Sequence, residues 1–245
     1  YGSKALINAC KQHRYLPTFS KRTKLRKSIY DKVGGRWSEL GLPGWTEACR
    51  LFAEDREVIA PSLPGYGATE RPDWMMSMHD LAAWLAWFVR DSAVATPVDV
   101  VAFSMGAWAA AELAVLHPGF FRRLVLVGPM GVKPRKGEIF DYFLEGGMTG
   151  IRRNFHAPDS CADFARFWGR DLTQEETDAL EWHRETTCRL VGKPDMHSLT
   201  LPHFLPSVRT PTLIVQGAQD AVAPLDCGEI YQQAIPGAKL AIVED

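Results

Sequence analysis

Val98-Asp99-Val100-Val101-Ala102-Phe103-Ser104-Met105-Gly106-Ala107-Trp108-Ala109-Ala110-Ala111-Glu112-Leu113-Ala114-Val115-Leu116 is the stretch whose reading decides the fold. Val98 to Phe103 is rich in β-branched and apolar residues, which predicts a strand. Met105 to Leu116 is rich in alanine and leucine, strong helix formers, and predicts a helix. His117-Pro118-Gly119 ends it, since glycine accepts the backbone turn a helix needs to stop. Arg123 to Val127 (RLVLV) then reads as a second strand. Two apolar strands joined by a helix make a βαβ unit, the building block of a parallel sheet.

The same alternation extends both ways from Leu42 onward. Glu47 to Phe52 predicts a short helix, and Glu57-Val58-Ile59-Ala60 a buried strand stopped by Pro61. In Ser62-Leu63-Pro64-Gly65-Tyr66-Gly67, Pro64 presets φ and the two glycines permit turn conformations other residues resist. Ser77 with Asp80 three positions later has the spacing of a capping box. Leu81, Trp84, Leu85 and Phe88 then share one helical face, which should cover the sheet. Residues 133–206 lose the alternation and carry Phe140, Tyr142, Phe143, Phe155, Phe164, Phe167, Trp168 and Trp182 among charged residues, the pattern of a helical insertion. Pro211 introduces a strand at Thr212 to Val215, followed by a turn at Gly217, a helix over Cys227 to Ala234 and a strand at Leu240 to Val243. The expected class is α/β, a mostly parallel sheet with helices on both faces. Residues 42–132 and 207–245 form its core, 133–206 the helical insertion and 1–41 an atypical N-terminal segment.

Composition narrows the function. A chain of 245 residues, 46% hydrophobic and 23% charged, describes one ordinary globular domain. The longest apolar run, Leu81 to Val89, falls far short of the roughly 20 residues of a membrane-spanning helix, so no membrane partner is expected. Tyr1 to Cys10 holds no apolar signal core, and with Tyr rather than Met at its start the expectation is that the sequence is a fragment. Cys10, Cys49, Cys161, Cys188 and Cys227 lie at least 27 residues apart, giving neither a redox pair nor a zinc knuckle. A reducing cytoplasm is the default location. No metal-ligand spacing occurs, and His197 and His203 read as loop residues. Residues 1–40 hold ten Lys/Arg against two acids, a balance of +8 that leaves −9 for the remainder. Lys21 to Lys27 could serve as an anionic-surface arm, but no nucleic-acid-binding motif follows it, so no nucleic-acid partner is expected.

Ser104 carries the chemistry. An apolar strand running into a tight turn and then a helix of small residues is a nucleophile elbow, with the serine exposed at the carboxyl end of the sheet beside a helix N-terminus. Ala102 and Gly106 are small where the chain crosses itself. The plainer alternative is that Ser104 caps the helix, serine being a favoured N-cap.

The chain resembles the α/β-hydrolase family through Ser62-Leu63-Pro64-Gly65-Tyr66-Gly67, the elbow around Ser104, and Gly217-Ala218-Gln219-Asp220 with Pro224 after a late strand. Ala102 stands where the family pattern has its first glycine. The resemblance implies that Asp220 is the acid of a Ser-Asp-His triad, in the family's chain order. Asp226 is a weaker candidate for that acid, since in the first turn of the next helix it reads as a partner of the helix dipole. The Met105 amide becomes one oxyanion donor. The second should come from a His-Gly-type loop, which is absent, and Val33-Gly34-Gly35 is the nearest substitute, with Gly34 and Gly35 as candidates. The family's histidine belongs just past Leu240 to Val243, and none of His13, His79, His117, His156, His183, His197 or His203 holds that position. The expectation is that the sequence stops short of its base. Loss of that histidine costs on the order of 10⁶ in turnover, so this polypeptide should be nearly inert.

The resemblance implies a serine-dependent hydrolase of small apolar esters, or of a carbon–carbon bond beside a ketone. Residues 133–206 would be its cap, with no cofactor and a small apolar substrate as its partner. A serine at the elbow argues against haloalkane dehalogenation, which uses a carboxylate there. The competing reading is a non-catalytic ligand-binding protein on the same scaffold. Oligomeric state is not legible.

Overall fold

The structure, a computed structural model, describes residues 3–12, 47–54, 57–67, 69–92, 96–161, 164–165 and 168–244. Its elements in chain order are α1 (Ser3–Gln12), α2 (Glu47–Phe52), α3 (Met78–Asp91), β1 (Val98–Phe103), α4 (Ser104–Leu116), β2 (Phe121–Val127), α5 (Gly147–Arg153), α6 (Gln174–Val191), α7 (Leu201–Phe204), β3 (Thr212–Gly217), α8 (Leu225–Ala234) and β4 (Lys239–Val243). The chain divides into two compact units. One comprises Tyr1–Asn8, Leu16–Trp74 and Tyr142–Cys188, the other Ala9–Tyr15, Met75–Asp141 and Arg189–Asp245.

The second unit holds a four-stranded sheet in the order β1-β2-β3-β4, every pair parallel. Leu124 to Val127 in β2 and Thr212 to Gln216 in β3 are buried, the near-continuous burial expected of strands covered on both faces. β1 and β4, at the two ends of this order, are half-buried. Helix α4 packs on β1 and β2, and α8 on β3 and β4. In α4, Met105, Ala107 to Ala111, Leu113 and Ala114 are all buried, so the helix is enclosed on every side.

Helix α3 begins as its capping box predicts. The Ser77 side chain accepts from the Asp80 amide, while the Asp80 carboxylate accepts from the Ser77 hydroxyl at 2.8 Å and the Met76 amide at 3.0 Å. The apolar face of α3 meets chiefly α4 rather than the sheet, because α4 already occupies β1 and β2. A second expectation also changes. Glu57 to Ala60 is not a strand, and none of the four strands pairs with it. A β-propensity run becomes a strand only where a neighbouring edge supplies its ladder.

In the first unit, the turn after Pro61 is fastened to α6. Gly65 and Gly67 adopt φ of +83° and +62°. A Cβ on Gly65 would lie 2.7 Å from Thr186 Cγ2, so this close approach requires glycine. The Thr186 hydroxyl donates toward Gly65 O, Tyr66 Oη and Thr187 Oγ1 share a hydrogen bond of 2.7 Å, and the Gly67 amide donates to His183 Nε2 at 2.9 Å. Arg71 lies over the Trp182 ring at 3.9 Å and donates to Glu185 and Thr186. Ile151, Phe164 and Trp168 form a separate apolar cluster with Met148, Phe155, Cys161, Leu172 and Leu180.

Burial pushes the His183 imidazole down to about 4 from its ordinary 6.5. The folded state therefore binds fewer protons than the unfolded chain between those values, and stability rises with pH across that window. Thermal melts should show up to about 3 kcal/mol lost as pH falls from 6.5 to 4, with the full contribution present above 6.5. His183→Gln, which keeps an acceptor but cannot titrate, should flatten the slope. An unchanged slope would remove His183 as its source.

Candidate active site

Strand β1 runs directly into α4, and Ser104 sits at the junction with φ of +49°. An L-residue other than glycine pays about 1–2 kcal/mol in this left-handed region, so the surroundings must hold it there. The strained bend expected of an elbow is present. The Ser104 hydroxyl donates to Met130 Sδ at 3.3 Å, and the Met130 amide donates to Ser104 O at 3.4 Å. A thioether is a weak acceptor, so the hydroxyl is oriented without being strongly held.

Met130 is fixed in turn by Tyr231, whose hydroxyl donates to Met130 O at 2.7 Å. Tyr231 is fully buried, and its hydroxyl stays protonated because burial, with Glu112 and Cys227 nearby, raises its pKa well above 10. Gly131 follows with φ of +98°, and a Cβ there would fall 2.5 Å from Trp108 Cγ. The Trp108 indole donates to Glu112 at 3.1 Å. His197 runs beside Gly131 as an isolated parallel bridge, with the Ser198 amide donating to Gly131 O. His197 is buried, and its Nδ1 donates to Asp195 O at 2.6 Å.

Asp220 lies in the turn after β3. Its Oδ1 accepts from the Val222 and Ala223 amides, each at 2.9 Å, and its Oδ2 from Gln216 Nε2 at 3.1 Å. Asp226, in the first turn of α8, does more than serve the helix dipole. Its Oδ2 accepts the backbone amides of Arg135 and of Lys136, the latter at 2.9 Å, so this buried carboxylate ties a distant loop to α8. A paired acceptor of two amides contributes more than a dipole interaction at a helix end. Cys227 beside them is no nucleophile, because burial first, then Asp226 and Asp220, pushes its thiol up to about 12.

The register brings the candidates to one edge. Phe103 is level with Val127, and Val127 with Val215, so Ser104 and Asp220 both leave the carboxyl ends of their strands on the same side. Two strand spacings, about 10 Å, separate β1 from β3. β4 ends there too, with the Ala218 amide donating to Val243 O at 2.9 Å. Met105 is buried in the first turn of α4, beside Ser104. Gly34, Gly35 and His13 lie outside the described residues. His79, His117, His156 and His203 are exposed. Sequence reasoning missed Met130, Tyr231 and Gln216. Only Gln216 left a signal, as the one amide in the otherwise apolar run Leu213 to Val215 and Gly217. Among the described residues no group of three or more His, Cys, Asp or Glu could hold a metal ion. No helix there is long and apolar enough to cross a membrane.

A family model described as alpha/beta hydrolase fold matches residues 39–245. The chain belongs to the α/β-hydrolase family. It is 38% identical over 216 residues to a 2-hydroxymuconate semialdehyde hydrolase of Pseudomonas sp. strain CF600, covering 81% of this chain and 72% of that one. A pimeloyl-[acyl-carrier protein] methyl ester esterase of Neisseria meningitidis is 25% identical, covering 91% of this chain and 90% of that one. Among solved structures, the 2-hydroxy-6-oxo-6-phenylhexa-2,4-dienoate hydrolase of Rhodococcus sp. strain RHA1 superposes with a TM-score of 0.62 at 17% identity, covering 82% of this chain and 76% of that one. At that identity the likeness bears on the fold. With relatives named hydrolases and esterases, this α/β-hydrolase is an enzyme of hydrolytic type.

Two substitutions test the geometry. Gly131→Ala combines a forbidden φ with a clash against Trp108 and should cost at least about 2 kcal/mol, read as a fall of several degrees in melting temperature. Asp226→Ala leaves the Arg135 and Lys136 amides without their acceptor and should destabilise by about 2–3 kcal/mol in urea titration. A neutral result would show the loop is anchored elsewhere.

Proposed function

We propose that this α/β-hydrolase cleaves a small carbonyl compound of the 2-hydroxy-6-oxo-dienoate class at the carbon–carbon bond beside its ketone, through a Ser-Asp-His triad. The observation that carries the proposal is Ser104 held at φ of +49° on the sheet edge that also bears Asp220. Ser104 is the nucleophile, Asp220 the acid that orients the imidazole, and the Met105 amide an oxyanion donor. The resemblance assigns the imidazole to the segment after β4, and β4 ends beside the Asp220 turn. The gap between β1 and β3 is one that a single side chain hydrogen-bonded at both ends can fill. Residues 133–206 keep their assignment as the cap.

In this mechanism the Ser104 oxygen bonds to the ketone carbon and its proton passes to the imidazole. The carbon–carbon bond breaks, its electron pair staying with the dienol fragment, which takes up the proton. Water then hydrolyses the acyl-enzyme to the free acid. The carbon–carbon substrate is preferred over an ester because relatives at 38% and 32% identity are named for a hydroxymuconate semialdehyde and a 2-hydroxy-6-oxo-dienoate, whereas the ester-named ones reach 25–26%.

The test uses protein expressed from its own reading frame, with 2-hydroxy-6-oxo-2,4-heptadienoate and a medium-chain methyl ester as alternative substrates. Wild type should consume the dienoate faster and take a fluorophosphonate label on Ser104. Ser104→Ala and Asp220→Asn should each lower kcat by about 10⁴ or more. Faster ester cleavage would move the substrate to the esterases. No turnover and no label would favour the ligand-binding alternative.

A further inference from the structure

Met130 bonds to Ser104 twice. Its thioether accepts the Ser104 hydroxyl at 3.3 Å, and its amide donates to Ser104 O at 3.4 Å. The first bond has a weak acceptor and the second is long, so both depend on where Met130 is held. Met130 stands between Gly128 and Gly131, at φ of +52° and +98°, and glycines leave a backbone more conformations than other residues do. Among the described residues the Gly128 amide is tied to Val215 O and Gly131 O to the Ser198 amide, which secures the ends of this stretch. Its middle is secured by Tyr231 on α8, whose hydroxyl donates to Met130 O at 2.7 Å across 101 positions of sequence. Tyr231 is wholly buried. A phenylalanine would fill the same space with no hydroxyl to satisfy, so what the oxygen adds at this position is the bond to Met130.

We propose that Tyr231 is a positioning residue for the Ser104 hydroxyl and acts through Met130. This rests on Ser104 being the nucleophile. Ser104 at φ of +49° is a strained bend that relaxes unless its surroundings oppose it. With Met130 O fixed by Tyr231, the bend cannot open without breaking both Met130 bonds, and Oγ keeps one direction. The hydroxyl proton then turns from the thioether to the imidazole by rotation about the Cβ–Oγ bond alone, giving up only a weak bond while the oxygen stays in place. A nucleophile held in this way depends on the residues behind it as much as on its own rotamer.

Tyr231→Phe keeps the ring and removes the hydroxyl alone. In protein expressed from its own reading frame, on the substrate of the preceding section, kcat should fall about tenfold with KM within about twofold, the pattern of an interaction that matters in the transition state. Fluorophosphonate labelling of Ser104 should slow by a similar factor. The loss should be the same from about pH 6 to 9, because burial keeps the Tyr231 proton in place throughout that range. A loss that varies across it would make Tyr231 an acid or base and overturn the proposal. Ile230→Val, the neighbouring position on α8, is the control for packing and should keep kcat and the labelling rate within about twofold of wild type. Unchanged kcat or labelling in Tyr231→Phe, or an equal loss in Ile230→Val, overturns the proposal. So does failure of Tyr231→Phe to fold, which would make the hydroxyl a structural core group. Ser104→Ala separates this from the reading beneath it. An active Ser104→Ala removes the nucleophile itself, whereas an inactive Ser104→Ala beside a fully active Tyr231→Phe removes Tyr231 alone.

Discussion

Parallel pairing in an order that follows the chain is the constraint on which the rest depends. Because β1 through β4 all run the same way, every segment that follows a strand emerges at one edge. The register Phe103–Val127–Val215–Ala241 keeps those exits level. The strained Ser104, the Asp220 turn and the end of β4 are neighbours for that reason alone. The strain at Ser104, itself only half-buried, is supported from the next residue on, since α4 from Met105 is buried against β1, β2 and α3.

Two aspartates six positions apart show how surroundings divide one residue type into two roles. Asp226 is buried and spends its carboxylate on backbone amides of residues 135 and 136, which makes it a clamp between loop and helix. Asp220 is half-buried in a turn at the sheet edge, and its partners include the amides of its own turn and Gln216. The first arrangement stabilises a fold. The second orients a carboxylate that remains at the edge where Ser104 emerges.

Membership of the α/β-hydrolase family rests on a match across residues 39–245 and on the parallel sheet. The scaffold hosts many reactions, so it is the site that has to argue for one of them. Here the site offers a serine hydroxyl at a strained bend, a carboxylate two strands away and a thiol that burial has silenced. That inventory agrees with hydrolytic chemistry, and the names of the more similar relatives narrow the carbonyl compound proposed.

Local pattern alone revealed the βα alternation, the elbow at Ser104, the capping box at Ser77 and the turn holding Asp220, because each is written in the spacing of residues within one or two turns of chain. The same reasoning misjudged Glu57 to Ala60, since strand formation needs a partner edge, and placed α3 on a sheet face that α4 already fills. Met130 on Ser104 joins residues 26 positions apart, Asp226 on Arg135 joins residues 91 apart, and Gly67 on His183 joins residues 116 apart. No periodicity encodes such pairs. Sequence by itself determined where the strained bend lies and which elements carry it. Only the folded chain decided what that bend touches and which carboxylate stays at its edge, because long-range contacts follow from how elements pack and not from the order in which they are made.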